Sequence, residues 1–570
     1  MELFGQMMYA PMLLSSILEQ AARHSAEVEV VSRRVEGDIH RYTYRDCHAR
    51  SMQLAQALTA RGIETGERIG TLAWNGYRHM ELYYGVSGIG AVCHTINPRL
   101  FPEQVAYIVN HARDRYVFFD TSFAALVEQI AYIINHARDR YVFFDTSFAA
   151  LVEQIAALCP HVEKWIMLCD EAALPSEFAV PLESYETLIA GHTGRFAWPQ
   201  FDEKQAALLC YTSGTTGDPK GVLYSHRSST LMAYASALPD TLALSASETV
   251  APIVPMFHVN AWGLPFSATL VGAKLVLPGA KLDGESLCSL FEQEGVTMSA
   301  GVPTVWLGFV DHVRRTGRKS KTFRRAIVGG AACPPHLAGS LQEIGVKAVH
   351  AWGMTELSPL GAVWSASHGY SGKCAEERTR IDVKQGRAVP GVDLKIVGQD
   401  GAELPWDGKS AGELLVRGHW VVDRYFGTDQ SALDGGWFPT GDVATIDADG
   451  YMHITDRSKD MIKSGGEWIS SIELENIAMS HPGIEKAACI ACAHPKWDER
   501  PLLVAVRREG SMVSAQQVLN FYAGKVAKWC IPDDVAFVTD LPLTGTGKVQ
   551  KLTLRQRFSQ HFVDAAVRTT

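Results

Sequence analysis

The run Ala206-Ala-Leu-Leu-Cys-Tyr211 has the pattern of a buried strand and leads directly into Thr212-Ser-Gly-Thr-Thr-Gly-Asp-Pro-Lys-Gly-Val222. A strand that delivers a loop of glycines and hydroxyls at its C-terminal end is the ligand-binding arrangement of an open α/β sheet. Successive glycines let the backbone aim its N–H groups at an anion, the hydroxyls add donors, and Lys220 adds a point charge. This chemistry suits a polyphosphate. It is not the Walker P-loop, which needs a hydroxyl right after its lysine, because here Gly221 follows Lys220.

A chain of 570 residues exceeds one core and corresponds to about three or four units of ordinary domain size. With 47% apolar and 20% charged residues it has the composition of a globular enzyme, and no polar low-complexity run argues for disorder. A net charge of −9 argues against nucleic acid as a partner, since that role needs a basic face. The eleven scattered cysteines read as reduced thiols, and with no signal peptide in view they point to the cytoplasm. Cys489-Ile-Ala-Cys492 has the spacing of a metal or redox pair. Its apolar surroundings read instead as a buried strand, in which residues three apart face opposite ways. The apolar stretch Met7 to Leu14 is too short to span a membrane and is expected to pack, so no transmembrane segment is expected.

From the N-terminus, Ser15 and Ser16 read as caps of a first helix, Arg41 to Tyr44 as a strand, and Tyr44 to Ala60 as a helix. Strands at Arg68–Ala73 and Ala91–Thr95 enclose a further helix, and this alternation predicts a parallel sheet. Residues 103–131 then recur at 128–156, a shift of 25, differing only at Val105/Ile130 and Val109/Ile134. Two copies do not make a solenoid. Each carries a strand, Tyr116 to Phe119 and Tyr141 to Phe144, and the join from Ala125 to Ala137 has the apolar spacing of one helix. Since a parallel sheet accepts a new strand only with a new crossover, one copy is expected in the sheet and the other at an edge or outside the core.

After Val222 come Pro255-Met-Phe-His-Val-Asn-Ala-Trp262, Gly301-Val-Pro-Thr-Val-Trp306, Val328-Gly-Gly-Ala-Ala-Cys333 and His350-Ala-Trp-Gly-Met-Thr-Glu-Leu-Ser-Pro359. Further on are Trp437-Phe-Pro-Thr-Gly-Asp442, Asp456 to Ser470 and Leu543-Thr-Gly-Thr-Gly-Lys548. In this order the blocks resemble the adenylate-forming superfamily. Phe257 to Trp262, Ser464 to Ser471 and His494 to Pro501 are most similar to fatty acyl-CoA synthetases. The resemblance implies an α/β protein with a large N-terminal domain, residues 1–456, of two α/β lobes and a β-rich subdomain near 380–440. A small mobile α+β domain, 457–570, would follow. It also implies joining of a carboxylic acid to ATP, with release of pyrophosphate, then transfer of the acyl group from AMP to coenzyme A, with Mg2+ as cofactor.

The resemblance carries roles to matching positions. Thr212, Ser213, Gly214, Thr215, Thr216, Gly217 and Lys220 would hold the β- and γ-phosphates, and Thr212 with Glu356 would hold Mg2+ through hard oxygen ligands. Gly330, Ala331, Trp352, Gly353, Met354 and Thr355 would line the nucleotide, with Trp352 as a stacking face under adenine where the family has tyrosine. Asp442 would accept from the ribose hydroxyls, Arg457 would donate to ribose or phosphate, and Lys548 would bridge the α-phosphate and the attacking carboxylate. Catalysis would thus rest on Lys548, Arg457 and Glu356. Lys459 would be the hinge, and Lys463, Ser464, Gly465, Gly466, Glu467 and Trp468 would border the coenzyme A path. His258, Val259, Trp262, Val302, Pro303 and Trp306 would form the acyl pocket. His258 reads equally as a core histidine, and Trp262 and Trp306 equally as core aromatics.

No basic residue in those pocket blocks is placed to meet a second carboxylate, which favours a medium- or long-chain aliphatic monocarboxylic acid. A short thioether acid of the methylthiopropionate type is the alternative. A non-catalytic protein disabled by the repeat, a carrier-loading adenylation domain and a luciferase are the rivals. A homodimer is also expected.

Overall fold

The fold follows from which strands bury both faces. In a computed structural model, residues 5–34, 36–95, 116–119, 141–144, 164–178, 180–212, 220–464, 467–494, 497–542, 549–559 and 561–562 are described. Ala206–Tyr211 is a strand with Ala207 to Tyr211 all buried, as its unbroken apolar run requires. It lies in an eight-stranded sheet ordered Gly221–Ser225, Ala206–Tyr211, Val92–Thr95, Arg68–Leu72, Tyr116–Phe119, Tyr141–Phe144, Lys164–Met167, Leu182–Ser184. All its pairs are parallel except the first.

Both copies of the repeat stand inside this sheet, contrary to the expectation that one lies at an edge. Val117 pairs with Gly70 on one side and Val142 on the other, and Val142 pairs in turn with Trp165. The twenty-one residues at 120–140 between the two strands exceed the dozen or so that a parallel crossover needs, so chain length permits this pairing. The helix expected across Ala125 to Ala137 lies outside the described residues.

A second, nine-stranded sheet has a parallel centre of Lys347–Gly353, Arg325–Val328, Met298–Gly301, Thr249–Pro252, Lys274–Leu277 and Glu29–Arg33, with antiparallel strands at both ends. Four antiparallel strands, Val392–Val397, Gly412–Gly418, Phe438–Ile446 and Met452–Arg457, form the β-rich part, somewhat C-terminal of the expected span. A last sheet joins Ile462–Ser464, Glu467–Ile469, the long hairpin Ile484–His494 with Asp498–Arg507, and Asp534–Phe537. The chain is therefore α/β, with a large N-terminal domain and a small C-terminal one. Cys489 packs into the core on one face of the hairpin and Cys492 into the core on the other, as a strand dictates.

Helix Tyr44–Ala60 starts with a reciprocal cap between Thr43 and Asp46. The first helix, Leu14–His24, does not use the serines as caps. Ser15 is buried within it, and the Leu14 N–H donates to Nδ1 of His226 at 3.1 Å instead. Of the apolar N-terminal stretch, Leu13 and Leu14 pack into the core, whereas Met7, Met8 and Tyr9 are at least 77% exposed. No described helix is long and apolar enough to cross a membrane.

Candidate functional site

The base of the glycine loop is closed by two bonds: the Thr212 N–H donates to the Lys220 carbonyl at 2.9 Å, and the Lys220 N–H donates to Thr212 Oγ1 at 3.1 Å. Ser213, Gly214, Thr215, Thr216 and Gly217 lie outside the described residues. A segment of the β-rich part clasps this base, with the Phe426 N–H on the Gly221 carbonyl and the Val422 N–H on the Glu356 carbonyl, both at 2.8 Å. Tyr425, from the same segment, donates its phenol O–H to Glu356 Oε1 at 2.9 Å, and Lys220 Nζ stands 4.7 Å from the centroid of its ring. The Tyr224 hydroxyl fixes the Thr355 carbonyl at 2.7 Å. Thr212, Lys220, Thr355 and Glu356 are thus gathered at the end of the strand. Burial pushes the Glu356 carboxyl up from its ordinary value, against the pull of Tyr425, Arg457 and Lys220. The Glu356 carboxylate and the Thr212 hydroxyl are hard oxygen donors of the kind Mg2+ takes, and the cations Lys220 and Arg457 beside them suit the anionic phosphates that would accompany the metal.

Beside it, strand Arg325–Val328 runs into Gly329 and Gly330, and strand Lys347–Gly353 ends in a glycine. Gly330 has φ +77°, and a Cβ on Gly329 would lie 2.8 Å from the Ala351 carbonyl oxygen and 2.9 Å from Cη2 of Trp262. Ala331 is exposed, and Gly353 and Met354 are half-buried. Asp442, 3% exposed, accepts from Nε1 of Trp352 at 3.0 Å through Oδ2 and pairs with Nε of Arg457 at 2.8 Å through Oδ1. The antiparallel register that sets Asp442 opposite Arg457 makes this meeting possible.

Just beyond Arg457 the chain crosses into the small domain, and ionic contacts hold the crossing. Asp456 accepts from the N–H and hydroxyl of Ser471. Lys551 Nζ reaches Ser471 Oγ and Glu475, each at 2.7 Å. Arg555 pairs with Asp460 at 2.8 Å and donates to the Lys459 carbonyl at 3.4 Å. Burial lowers the Lys459 pKa. Lys548, Gly465 and Gly466 lie outside the described residues. On the two sides of Lys548 in the chain, the Gln550 N–H donates to the Pro542 carbonyl at 2.8 Å. The Lys463 N–H donates to Glu499 Oε2 at 2.8 Å, and Arg500 donates to Ser464 Oγ at 3.0 Å. Lys463 and Ser464 pair with Trp468 and Glu467 across the turn.

The expected acyl-pocket block is held from the other lobe. Asn75 Nδ2 donates to the carbonyls of Pro252 and Val254 at 2.8 Å, and its Oδ1 takes the Met256 N–H at 2.7 Å. From Val259 through Gly263 every φ is positive, between 45° and 70°. For Val259, Asn260, Ala261 and Trp262 this left-handed backbone is costly, and such strain collects at functional sites. His258 is half-buried ahead of this turn, and Trp262 lies against Gly329 and Gly330. Val302 and Pro303 start the helix Pro303–Thr316, with a Val302 methyl beside Gly330. Trp306 is placed differently: fully buried among Phe309 and Phe323, with its N–H on the Gly301 and Ile327 carbonyls, it is a core aromatic. Sequence reasoning passed over Tyr425 and Asn75. For Asn75 the Trp-Asn-Gly turn after a strand was the available signal, and for Tyr425 there was none.

A glycine loop on a strand end, a buried glutamate beside it and a carboxylate–arginine pair at a domain crossing define an adenylate-forming enzyme. The AMP-binding enzyme profile matches residues 17–426, and the profile of the C-terminal domain of AMP-binding enzymes matches 473–548. Over 558 residues the chain is 49% identical to a 3-methylmercaptopropionyl-CoA ligase of Ruegeria lacuscaerulensis, covering 98% of this chain and 99% of that one. It is 47% identical, with 98% of both covered, to a medium-chain-fatty-acid–CoA ligase of Ectopseudomonas oleovorans. The solved structure of the anthranilate CoA ligase AuaEII with anthranoyl-AMP superposes with a TM-score of 0.80 at 25% identity, covering 96% of this chain and 98% of that one. The chain belongs to the AMP-binding enzyme family, within the adenylate-forming superfamily, and is an acyl-CoA ligase, an enzyme that forms acid–thiol bonds. Ligases of this class use ATP, Mg2+ and coenzyme A.

Proposed function

We propose that this enzyme activates a simple aliphatic monocarboxylic acid of medium or long chain as its acyl-adenylate and passes the acyl group to coenzyme A. The observation that carries the adenylation half is the convergence of Lys220, Tyr425 and Glu356 at the loop base, with Arg457 and Asp442 adjoining. Thr212 to Lys220 grip the β- and γ-phosphates. Asp442 takes the ribose, and Gly330, Ala331 and Trp352 to Thr355 line the nucleotide. Thr212 and Glu356 hold Mg2+, which neutralises phosphate charge when bound. Arg457 and Lys548 place positive charge where the carboxylate meets the α-phosphate, so that two anions can approach.

The chain divides at 456/457, with the small domain turning about Lys459. Lys548 then withdraws, and Lys463 to Trp468 come to border the thiol's path. His258, Val259, Trp262, Val302 and Pro303 wall the acyl group, with Trp306 packed behind them. The reduced, largely buried cysteines among the described residues fit a cytoplasmic enzyme, and a homodimer is the assembly we infer for it.

A short thioether acid is the second reading, favoured by the 49% identity to a ligase for 3-methylmercaptopropionate. The reading of a chain disabled by its repeat is weakened by the pairing of both copies within the sheet. The test is AMP formation from a panel running from propionate to stearate and including 3-methylthiopropionate, with and without coenzyme A, for the parent and Lys548→Ala. Release of acyl-CoA and AMP, lost in Lys548→Ala, is expected. AMP formation undiminished by that substitution would sink the mechanism, and a preference for the thioether acid would decide for the second reading.

A further inference from the structure

Trp352 lies in the strand Lys347–Gly353, with its six-membered ring over Gly361. A Cβ added at Gly361 would fall 2.5 Å from Cζ3 and 2.7 Å from Cε3 of the indole, so a side chain at 361 would displace the bicycle. Seated this way, the indole turns its N–H edge to Asp442, with Nε1 3.0 Å from Oδ2, and the residue is only 9% exposed. Asp442 is held behind by the Thr440 hydroxyl, which accepts the Asp442 N–H at 3.1 Å and donates to the Leu414 carbonyl at 2.8 Å. Its other oxygen faces Arg457.

A stacking face alone explains neither the direction of the N–H nor the glycine that makes room for the second ring. Indole is a donor only, and each carboxylate oxygen can accept more than one hydrogen bond, so this bond occupies one lone pair of Oδ2 and fixes the plane of the carboxylate. We propose that Trp352 is a positioning residue for nucleotide recognition: its N–H pins Asp442 Oδ2, leaving Oδ1 oriented for a ribose hydroxyl once Arg457 turns away. This rests on the assignment of Asp442 to the ribose made above. The arrangement gives Trp352 a second task beside any contact with the base, and a phenyl ring at 352 would perform only the first.

The two tasks separate by nucleotide. Titration calorimetry of the full chain with Mg2+ and no acid present measures binding without turnover, using ATP, 2′-deoxyATP and 3′-deoxyATP. The parent is expected to prefer ATP to at least one deoxy analogue by about tenfold, the scale of one hydrogen bond to a charged group. In Trp352→Phe that ratio should fall to about threefold or less, because Asp442 no longer holds its orientation. A parent indifferent to both hydroxyls would overturn the ribose assignment and this proposal with it. A parent that discriminates and a Trp352→Phe protein that keeps the full ratio, even if both affinities weaken together, would overturn the positioning role alone. Should Trp352→Phe fail to fold, replacing Trp352 by 3-benzothienylalanine, which keeps the shape and lacks the N–H, decides. A collapsed ratio supports the proposal and a preserved one overturns it.

Discussion

The phenol of Tyr425 donates to Glu356 Oε1 at 2.9 Å while its ring carries the ammonium of Lys220 4.7 Å from the centroid. One side chain thereby spaces an acid from a base at the mouth of the glycine loop. Tyr425→Phe keeps the ring and the cation contact but removes a donor to a buried carboxylate, a bond of about 1.5–3 kcal/mol. The Glu356 carboxyl, already raised by burial, should rise further and bind Mg2+ less readily. Half-maximal pyrophosphate release should then need about three- to tenfold more Mg2+, with KM for the acid unchanged. An unaltered Mg2+ curve would remove Tyr425 from the site.

Asn75 satisfies three backbone groups of residues 252–256 from the opposite lobe and is 2% exposed. Asn75→Ala strands two carbonyls and one N–H, which should cost about 3 kcal/mol or more in a urea melt. The strained turn at 259–263 follows directly, so KM for the acid should rise more than KM for ATP. Equal effects on both would mean that Asn75 supports the fold only.

Much of this was legible in the sequence, and the remainder was not, for definable reasons. The strand ending at Tyr211 and the helix Tyr44–Ala60 carry local signals, an unbroken apolar run and a Thr-x-x-Asp cap, and both form where the pattern puts them. Tyr425 meets Glu356 across 69 residues, a distance no periodicity reaches. The letter at 352 promised an aromatic ring, but which edge it turns to Asp442 depends on Gly361 from the next strand. The place of the repeat is not legible locally: a second copy reads as an intruder in a complete sheet, whereas the length of chain between the two strands is enough for parallel neighbours.

Lys551 is buried against Glu475, with Asp456 close by, three residues beyond Lys548. Burial alone would lower its pKa, but Glu475, Asp456 and Asp460 together outweigh burial and keep it charged. Lys551→Met would leave Glu475 and Asp456 buried without a cation, and losing one partner of a buried pair costs about 3–5 kcal/mol. Unfolding of the small domain, followed by Trp fluorescence in urea, should move to lower denaturant. Adding Glu475→Gln to Lys551→Met should recover part of the loss. Absence of any recovery would show that the pair is not coupled.

Stability should also depend on pH through histidines that the fold keeps neutral. Burial lowers His79 and His350 to about 4 and His226 to about 3. Two of them are set for the neutral ring: His226 Nδ1 accepts the Leu14 N–H, and His350 Nε2 accepts the Cys333 N–H at 3.4 Å. An unfolded histidine titrates near 6.5, so between about pH 6.5 and 4 the unfolded chain binds more protons than the folded one. Stability must therefore fall as pH falls through that window, by up to about 1.4 kcal/mol per pH unit for each group, and these groups add no slope below their folded values. Carboxylates held low by ion pairs, such as Glu186 and Glu294, lose their contribution only below about pH 4.3, whereas carboxyls that burial raises, Glu81, Glu356 and Glu475 among them, take up protons in the folded state first and oppose the histidine slope above that pH. Urea midpoints measured from about pH 7 down to 4.5 should decline from about pH 6.5, and His226→Asn should make the decline shallower by removing one titrating ring. A slope unchanged by His226→Asn would mean that this ring takes up protons in the folded state as readily as in the unfolded one.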